Sequence, residues 1–303
     1  MYALATAVVW AFALVAFKRS GETVPPLALN LFKNVLSLTL LTVCLLVLGE
    51  GPGTLAAFHR HDLYTLVLSG VIGIALADTA FFAALNRIGV GILSIVDCLY
   101  SPFAALFAWL LIAERLALPH YIGGALILGG VLLSSKHPPP PGRTRRELIT
   151  GILLGALAIG MMAFSVVLAK PVLEAQDFPL IWAAAIRLGA GTAALLLLGA
   201  ASPNRKAVAG VFRPSPTWRF TVPASVLGSF LSYILWIAGF KYAAATTAAI
   251  LNQTAVIFAI ILATILLHEP FSRRKGVAVG LAITGILVVT FGRQIFGKLS
   301  GMG

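Results

Sequence analysis

This sequence has little charge. Asp, Glu, Lys and Arg make up 11% of its 303 residues, where a soluble domain carries about 25%. So few charges cannot cover a water-facing surface, and 59% of the residues are hydrophobic. The solvent is therefore lipid. Cysteine is nearly missing too: Cys44 and Cys98 stand inside apolar runs with no CxxC spacing, which argues against a disulfide framework or a thiolate zinc site. The five histidines, at 59, 61, 120, 137 and 268, are scattered near loops, so neither a metal nor a cofactor is expected. Short alternating apolar runs are absent, against a β-barrel. HExxH and GxSxG are absent as well, which makes an intramembrane hydrolase or protease a weak alternative.

What the chain does have is long apolar runs. A helix crosses the bilayer with about 20 residues, and by that ruler there are ten candidate segments: roughly 2–17, 25–48, 63–85, 90–112, 119–135, 148–169, 179–199, 220–240, 245–267 and 276–292. The first can itself direct insertion, and 1–17 shows no clear cleavage site. The formal net charge is +12, but the basic residues fall in the loops, facing anionic headgroups; nucleic acid is not an expected partner. The expected fold is an all-α, multi-pass integral membrane protein of the bacterial inner (plasma) membrane, a monomer rather than an obligate dimer.

One stretch occurs twice. ILSIVDCLYSPFAALFAWLLIAERLALPHYIGGALILGG, from Ile92, is answered about 155 residues later by TAAILNQTAVIFAIILATILLHEPFSRRKGVAVGLAITG. Glu114 falls opposite Glu269, Asp97 opposite Asn252, Gly130 opposite Gly285 and Gly73 opposite Gly228. Lys33 matches Arg187 after a one-residue slip, and Trp10–Lys18 resembles Met162–Lys170. Such self-similarity marks an internal duplication. Between the copies lies KHPPPPGRTRRE, a stiff Pro-rich spacer with a basic cluster. This divides the chain into a first five-helix repeat (1–136), a linker (137–147), a second repeat (148–293) and a tail (294–303). Five is odd, so the second copy enters the membrane from the opposite face, and the expected architecture is two inverted repeats around a central cavity. The loops after segments 1, 3, 5, 7 and 9 hold most of the Lys and Arg, which places both termini outside the cytoplasm.

Ionisable residues within these segments share a depth. Lys33, Asp78 and Asp97 each lie about eight residues from one face, which at 1.5 Å per residue is about 12 Å deep. Arg187 and Asn252 lie equally deep from the opposite face, and Tyr233 takes the position of Asp78. In a core about 30 Å thick the two layers are about 6 Å apart, close enough for one polar cavity. Charges this deep cost about 2.5–3.5 kcal/mol each on insertion scales and mark substrate or ion pathways, although a Lys33–Asp78 pair could equally tie helices together and long basic side chains could snorkel. Asn30, Asn34, Ser94, Tyr100, Gln253 and Thr254 are further hydrogen-bonding candidates, with Trp10, Trp182 and Trp236 as aromatic walls or as packing. Glu114 and Glu269 sit at helix ends, where a carboxylate needs a compensating partner, and read as structural corners.

These residues resemble the EamA-type branch of the drug/metabolite transporter superfamily. The resemblance rests on Glu114-Arg115-Leu116, Gly123 and Gly130-Val131 in the first half, and on Glu269-Pro270-Phe271-Ser272, Gly276 and Gly285-Ile286 in the second, together with Trp10…Lys18. It covers nearly the whole chain as two tandem copies. It departs where the usual Trp-Gly is Trp10-Ala11 and where a basic leader is missing. The resemblance implies ten helices in two inverted repeats, alternating-access transport of small metabolites, often amino-acid export, sometimes proton-coupled, and cytoplasmic termini, against the charge bias.

The expected function is a secondary transporter, not an enzyme, acting on a small polar solute with protons as the candidate coupling ion. Lys33 and Arg187 would bind an anionic group, and Asp78 or Asp97 an amine or the proton, since a desolvated carboxyl can hold one near neutral pH. A zwitterion would use both signs. Efflux of lipophilic cations is the runner-up, and a channel or scaffold is a third reading.

Overall fold

The computed structural model describes residues 2–49, 51, 59–113, 118–136, 142–173, 180–235 and 254–299. They are helical in nearly every part. The helices are α1 (Tyr2–Ser20), α2 (Pro26–Val47), α3 (Arg60–Gly70), α4 (Asp78–Asp97), α5 (Tyr100–Ile112), α6 (Leu118–Ser135), α7 (Arg145–Leu173), α8 (Leu180–Ala201), α9 (Arg205–Gly210), α10 (Trp218–Ser225), α11 (Ala255–Leu266) and α12 (Arg273–Leu299). α2 starts on Pro26 at its first turn, where the missing N–H is not needed. α7 starts on a reciprocal cap: the Thr144 N–H donates to Glu147 Oε2 at 2.8 Å and the Glu147 N–H to Thr144 Oγ1 at 3.2 Å, the capping-box arrangement.

Four described helices are long and apolar enough to cross a bilayer: Pro26–Val47, Arg60–Asp97, Arg145–Leu173 and Ile181–Ala201. Tyr100–Ile112, Leu118–Ser134 and Ala255–Leu266 are apolar but shorter. Ten intact spans are thus not what the described residues contain. The expected third and fourth segments run into one another, because the chain turns at Gly89 without a loop (φ 76°, ψ 174°), in a region of backbone space open to glycine. The expected fourth segment, 90–112, is itself interrupted at Cys98–Leu99.

The same local irregularities recur 155 positions apart. α3 passes into α4 through a π-helix, Val71–Ala77, and α10 continues into another, Val226–Leu231. Among the described residues the two non-glycine residues at positive φ are Ala113 (53°) and His268 (55°), after α5 and α11. Packing repeats likewise. α1 lies against α10 and α11, as α7 lies against α3, α4 and α5; α2 pairs with α8 and α6 with α12. α6 and α12 approach backbone to backbone at glycines: a Cβ on Gly285 would come within 2.6 Å of the Gly123 carbonyl oxygen, and one on Gly130 within 2.7 Å of that of Ala278. Small residues permit this approach in lipid, where no hydrophobic force drives helices together. The largest buried cluster joins α1, α4, α7 and α11 through Phe17, Phe82, Leu85, Leu93 and Ile159.

Candidate substrate-binding site

The polar layer is built on α2 and on the π-helix between α3 and α4. A π-turn carries one residue more than an α-turn and loosens its carbonyls; such segments are frequent at functional sites. Asn30 answers them, its Nδ2 donating to the carbonyls of Ile74 (2.8 Å) and Ala75 (3.3 Å) and to Thr79 Oγ1 (2.9 Å). Asn34, one turn on, donates to Asn30 Oδ1 at 2.8 Å. Lys33 reaches between them to Asp78 Oδ2 at 2.7 Å and to Asn34 Oδ1 at 3.3 Å, with the Phe82 ring 5.8 Å from its Nζ. The pair is nearly enclosed, its side chains 8% and 19% exposed. Four of the sequence-derived candidates, Asn30, Lys33, Asn34 and Asp78, therefore form one network.

Arg187 behaves differently. Its helix, α8, lies against α3 and the first π-helix. The side chain is buried, its Nε is enclosed without a hydrogen-bond partner, and no carboxylate among the described residues pairs with it. Asp97 is half-buried at the end of α4. No described side chain pairs with it, and Tyr100 opens the next helix three residues on.

Other candidates lie elsewhere. Trp10 packs on Phe81, ring centroids 6.4 Å apart. Trp182 lies in a separate apolar cluster with Leu66, Ala169 and Val172, its indole N–H unpartnered. Ser94 donates to the Val90 carbonyl of its own helix at 2.9 Å. Trp236, Asn252, Gln253 and Glu114 lie outside the described residues.

Glu269, read from the sequence as a structural corner in need of a partner, has partners that the sequence did not name. Its carboxylate accepts the N–H groups of Val90 (2.8 Å) and Gly91 (2.9 Å) and faces Lys275 Nζ at 3.4 Å. It caps, from the other half of the chain, the helix that restarts after Gly89. The carbonyls left open on the near side of that turn, Leu85 and Asn86, accept from Lys18 Nζ at 3.2 and 3.1 Å. Both ends of the broken helix are thereby closed by charges of the sign the helix dipole favours. The sequence signal was the match of Lys18 and Glu269 to their counterparts in the other copy.

Comparison with known proteins agrees with this frame. A solved crystal structure, 18% identical, superposes with a TM-score of 0.66 and covers 97% of each chain, which shows the fold. A protein of Methanothermobacter thermautotrophicus described as an uncharacterized transporter is 23% identical over 236 residues, 77% of this chain and 66% of its own length; this chain thus spans just under two thirds of that relative. The family model of the EamA-like transporters matches residues 1–136 and again 149–291. With apolar helices able to cross a bilayer and a family match over nearly its whole length, this multi-pass membrane protein belongs to the EamA-like transporter family, within the drug/metabolite transporter superfamily.

Proposed function

We propose that this protein is a secondary carrier that moves a small polar metabolite across the membrane by alternating access between two inverted five-helix repeats. The observation that carries the reading is the polar layer: beside the enclosed Lys33–Asp78 network, the buried Arg187 and the half-buried Asp97 have no counter-ion among the described residues of a chain this poor in charge. Intramembrane ions in such a setting serve a solute or an ion path. Tyr233 and the Lys33–Asp78 pair complete the lining. The recurrence of the π-helices and of the left-handed helix ends 155 residues apart, with the similar contacts of α1 and α7, supports the two-repeat architecture. A cation and an anion without counter-ions among the described residues, Arg187 and Asp97, favour a zwitterion such as an amino acid, and net export is the proposed direction.

A thermal-shift screen of the purified protein against amino acids, nucleosides, sugar phosphates and lipophilic cations tests the solute class. A ligand of the native state at a hundredfold excess over its dissociation constant adds about 2.7 kcal/mol of apparent stability. Stabilisation by polar zwitterions, with saturable uptake of the same solutes into proteoliposomes, is the expected result. Stabilisation confined to lipophilic cations would move the function to efflux of such cations.

Asp97 is the proposed coupling group, because no described side chain neutralises it. Replacing it by Asn should leave solute exchange in place while flux ceases to follow an imposed pH gradient. Flux in Asp97→Asn that still follows the gradient fully would remove Asp97 from that role.

A further inference from the structure

The two halves differ where they should match, and the difference bears on the charge of the solute. In the first half the cation of α2 is closed into a network: Lys33 has Asp78 at 2.7 Å, Asn34 beside it, and Asn30 tying α2 to the π-helix. At the matching positions of the second half, Arg187 stands for Lys33, Tyr233 for Asp78, Ala184 for Asn30, Leu188 for Asn34 and Ile234 for Thr79. The cation is kept. The carboxylate and the amide that hold it are not kept, nor is the amide that ties its helix to the π-segment.

Arg187 is nevertheless interior. It is 9% exposed, its Nε has no partner, and it makes no ion pair among the described residues. A guanidinium so nearly enclosed, with no counter-charge among the described residues, costs the fold that contains it. A fold that keeps one where its own duplicate keeps a paired lysine is arranged to receive the missing anion from outside.

We propose that Arg187 is the anion-binding residue of the central site, taking the carboxylate of the transported solute, and that Lys33 is not available for this role. The guanidinium offers paired N–H groups in a plane, which matches a carboxylate in bidentate fashion. Lys33 is already neutralised by Asp78, so a solute carboxylate there would have to displace a buried ion pair. The inference rests on the carrier reading above and sharpens it: the solute carries a carboxylate, and the second repeat holds it.

The test compares carboxylates with their amides. Wild-type protein, Arg187→Met, Arg187→Lys and Tyr233→Asp are melted alone, then with free L-amino acids and with the same amino acids as C-terminal amides. Without ligand, Arg187→Met should melt at or above the wild-type temperature, since an unpaired buried charge has gone, whereas Lys33→Met, which leaves Asp78 unpaired, should melt below it. With ligand, the free acids that stabilise wild type should bind at least tenfold more tightly than their amides. Arg187→Met should lose that preference, Arg187→Lys should keep part of it, and Tyr233→Asp should weaken acid binding by supplying an internal counter-ion. A large fall in the melting temperature of ligand-free Arg187→Met would overturn the proposal, because it would show that the fold already uses the charge. Undiminished acid preference in Arg187→Met would overturn it equally. Solute uptake that persists unchanged in Arg187→Met would leave the carrier reading standing and remove this one; wild-type proteoliposomes that take up no solute would remove the carrier reading, while the ligand-free melts still judge Arg187.

Discussion

At the scale of single residues, the Lys33–Asp78 pair sets the terms. Two ions at 2.7 Å with little access to solvent attract each other strongly, but each has lost its hydration. Removing one partner leaves the other buried and unpaired, at about 3–5 kcal/mol, while replacing both by apolar groups is often close to neutral. We therefore expect Lys33→Met and Asp78→Leu each to lower the melting temperature of the purified protein markedly, and the double variant to recover most of the loss. If the double variant loses the sum of the two single losses, the pair is not coupled as described. This contact was legible in the sequence, because the fixed helical rise turns position into depth and placed both residues about 12 Å from one face. Depth is not direction, however. The same ruler could not say that Trp182 turns into the cluster with Leu66 and Ala169, away from the polar layer, because rotation about the helix axis follows from which neighbours pack there.

At the scale of elements, the turn at Gly89 is where one broken helix is held by parts distant in sequence. Glu269 is 179 residues from Val90, and no local pattern announces a cap supplied at that range. A carboxylate at the end of α11 looked like a charge in need of a partner; the partner is the free end of another helix. Glu269→Gln keeps an acceptor but removes the charge facing Lys275, itself 4% exposed, and should cost about 1–3 kcal/mol. Gly89→Ala should act in the same direction, since its Cβ would come within 2.6 Å of Glu269 Oε1 at a backbone angle of φ 76°. Thermal melts of the two single variants and the double variant check this. Coupling requires the double variant to lose less than the sum, and strict additivity would argue that the cap and the turn are independent.

The start of α7 is a simpler case with a pH signature. The Thr144 N–H and then Arg143 hold the Glu147 carboxyl below its ordinary range. A group whose folded value is depressed contributes above its unfolded value of about 4.5 and stops contributing as pH falls through the lower, folded one. Protection of the first-turn amides of α7 against hydrogen exchange, relative to Glu147→Gln, should therefore be present at neutral pH and vanish on acidification past that range. Equal protection in the two proteins at pH 7 would contradict the cap. Thr-x-x-Glu is a sequence-level signature, so this element was readable in advance from Thr144 and Glu147, unlike the turn at Gly89.

At the scale of the whole molecule, duplication organises what the separate residues do. The register of 155 seen in Gly73/Gly228 and Glu114/Glu269 is also the spacing of the two π-helices and of Ala113 and His268 in space. What composition could not convey is where apolar helices break: length and hydropathy make ten spans of the chain, whereas Gly89 and the turn at Cys98–Leu99 merge one pair of segments and interrupt another. At Gly89 such a break brings free backbone groups and the charges of Lys18 and Glu269 together. The central claim is that this molecule carries solute from one face to the other through that layer. Counterflow in proteoliposomes is its most direct test. Vesicles loaded with an unlabelled solute that stabilises the purified protein are diluted into a trace of the same solute carrying a label. A carrier that reorients with solute bound will accumulate label transiently above its equilibrium level before releasing it, and the overshoot will be absent from empty vesicles. Label that rises smoothly to equilibrium at the same rate in loaded and unloaded vesicles would contradict alternating access and point to an open pore.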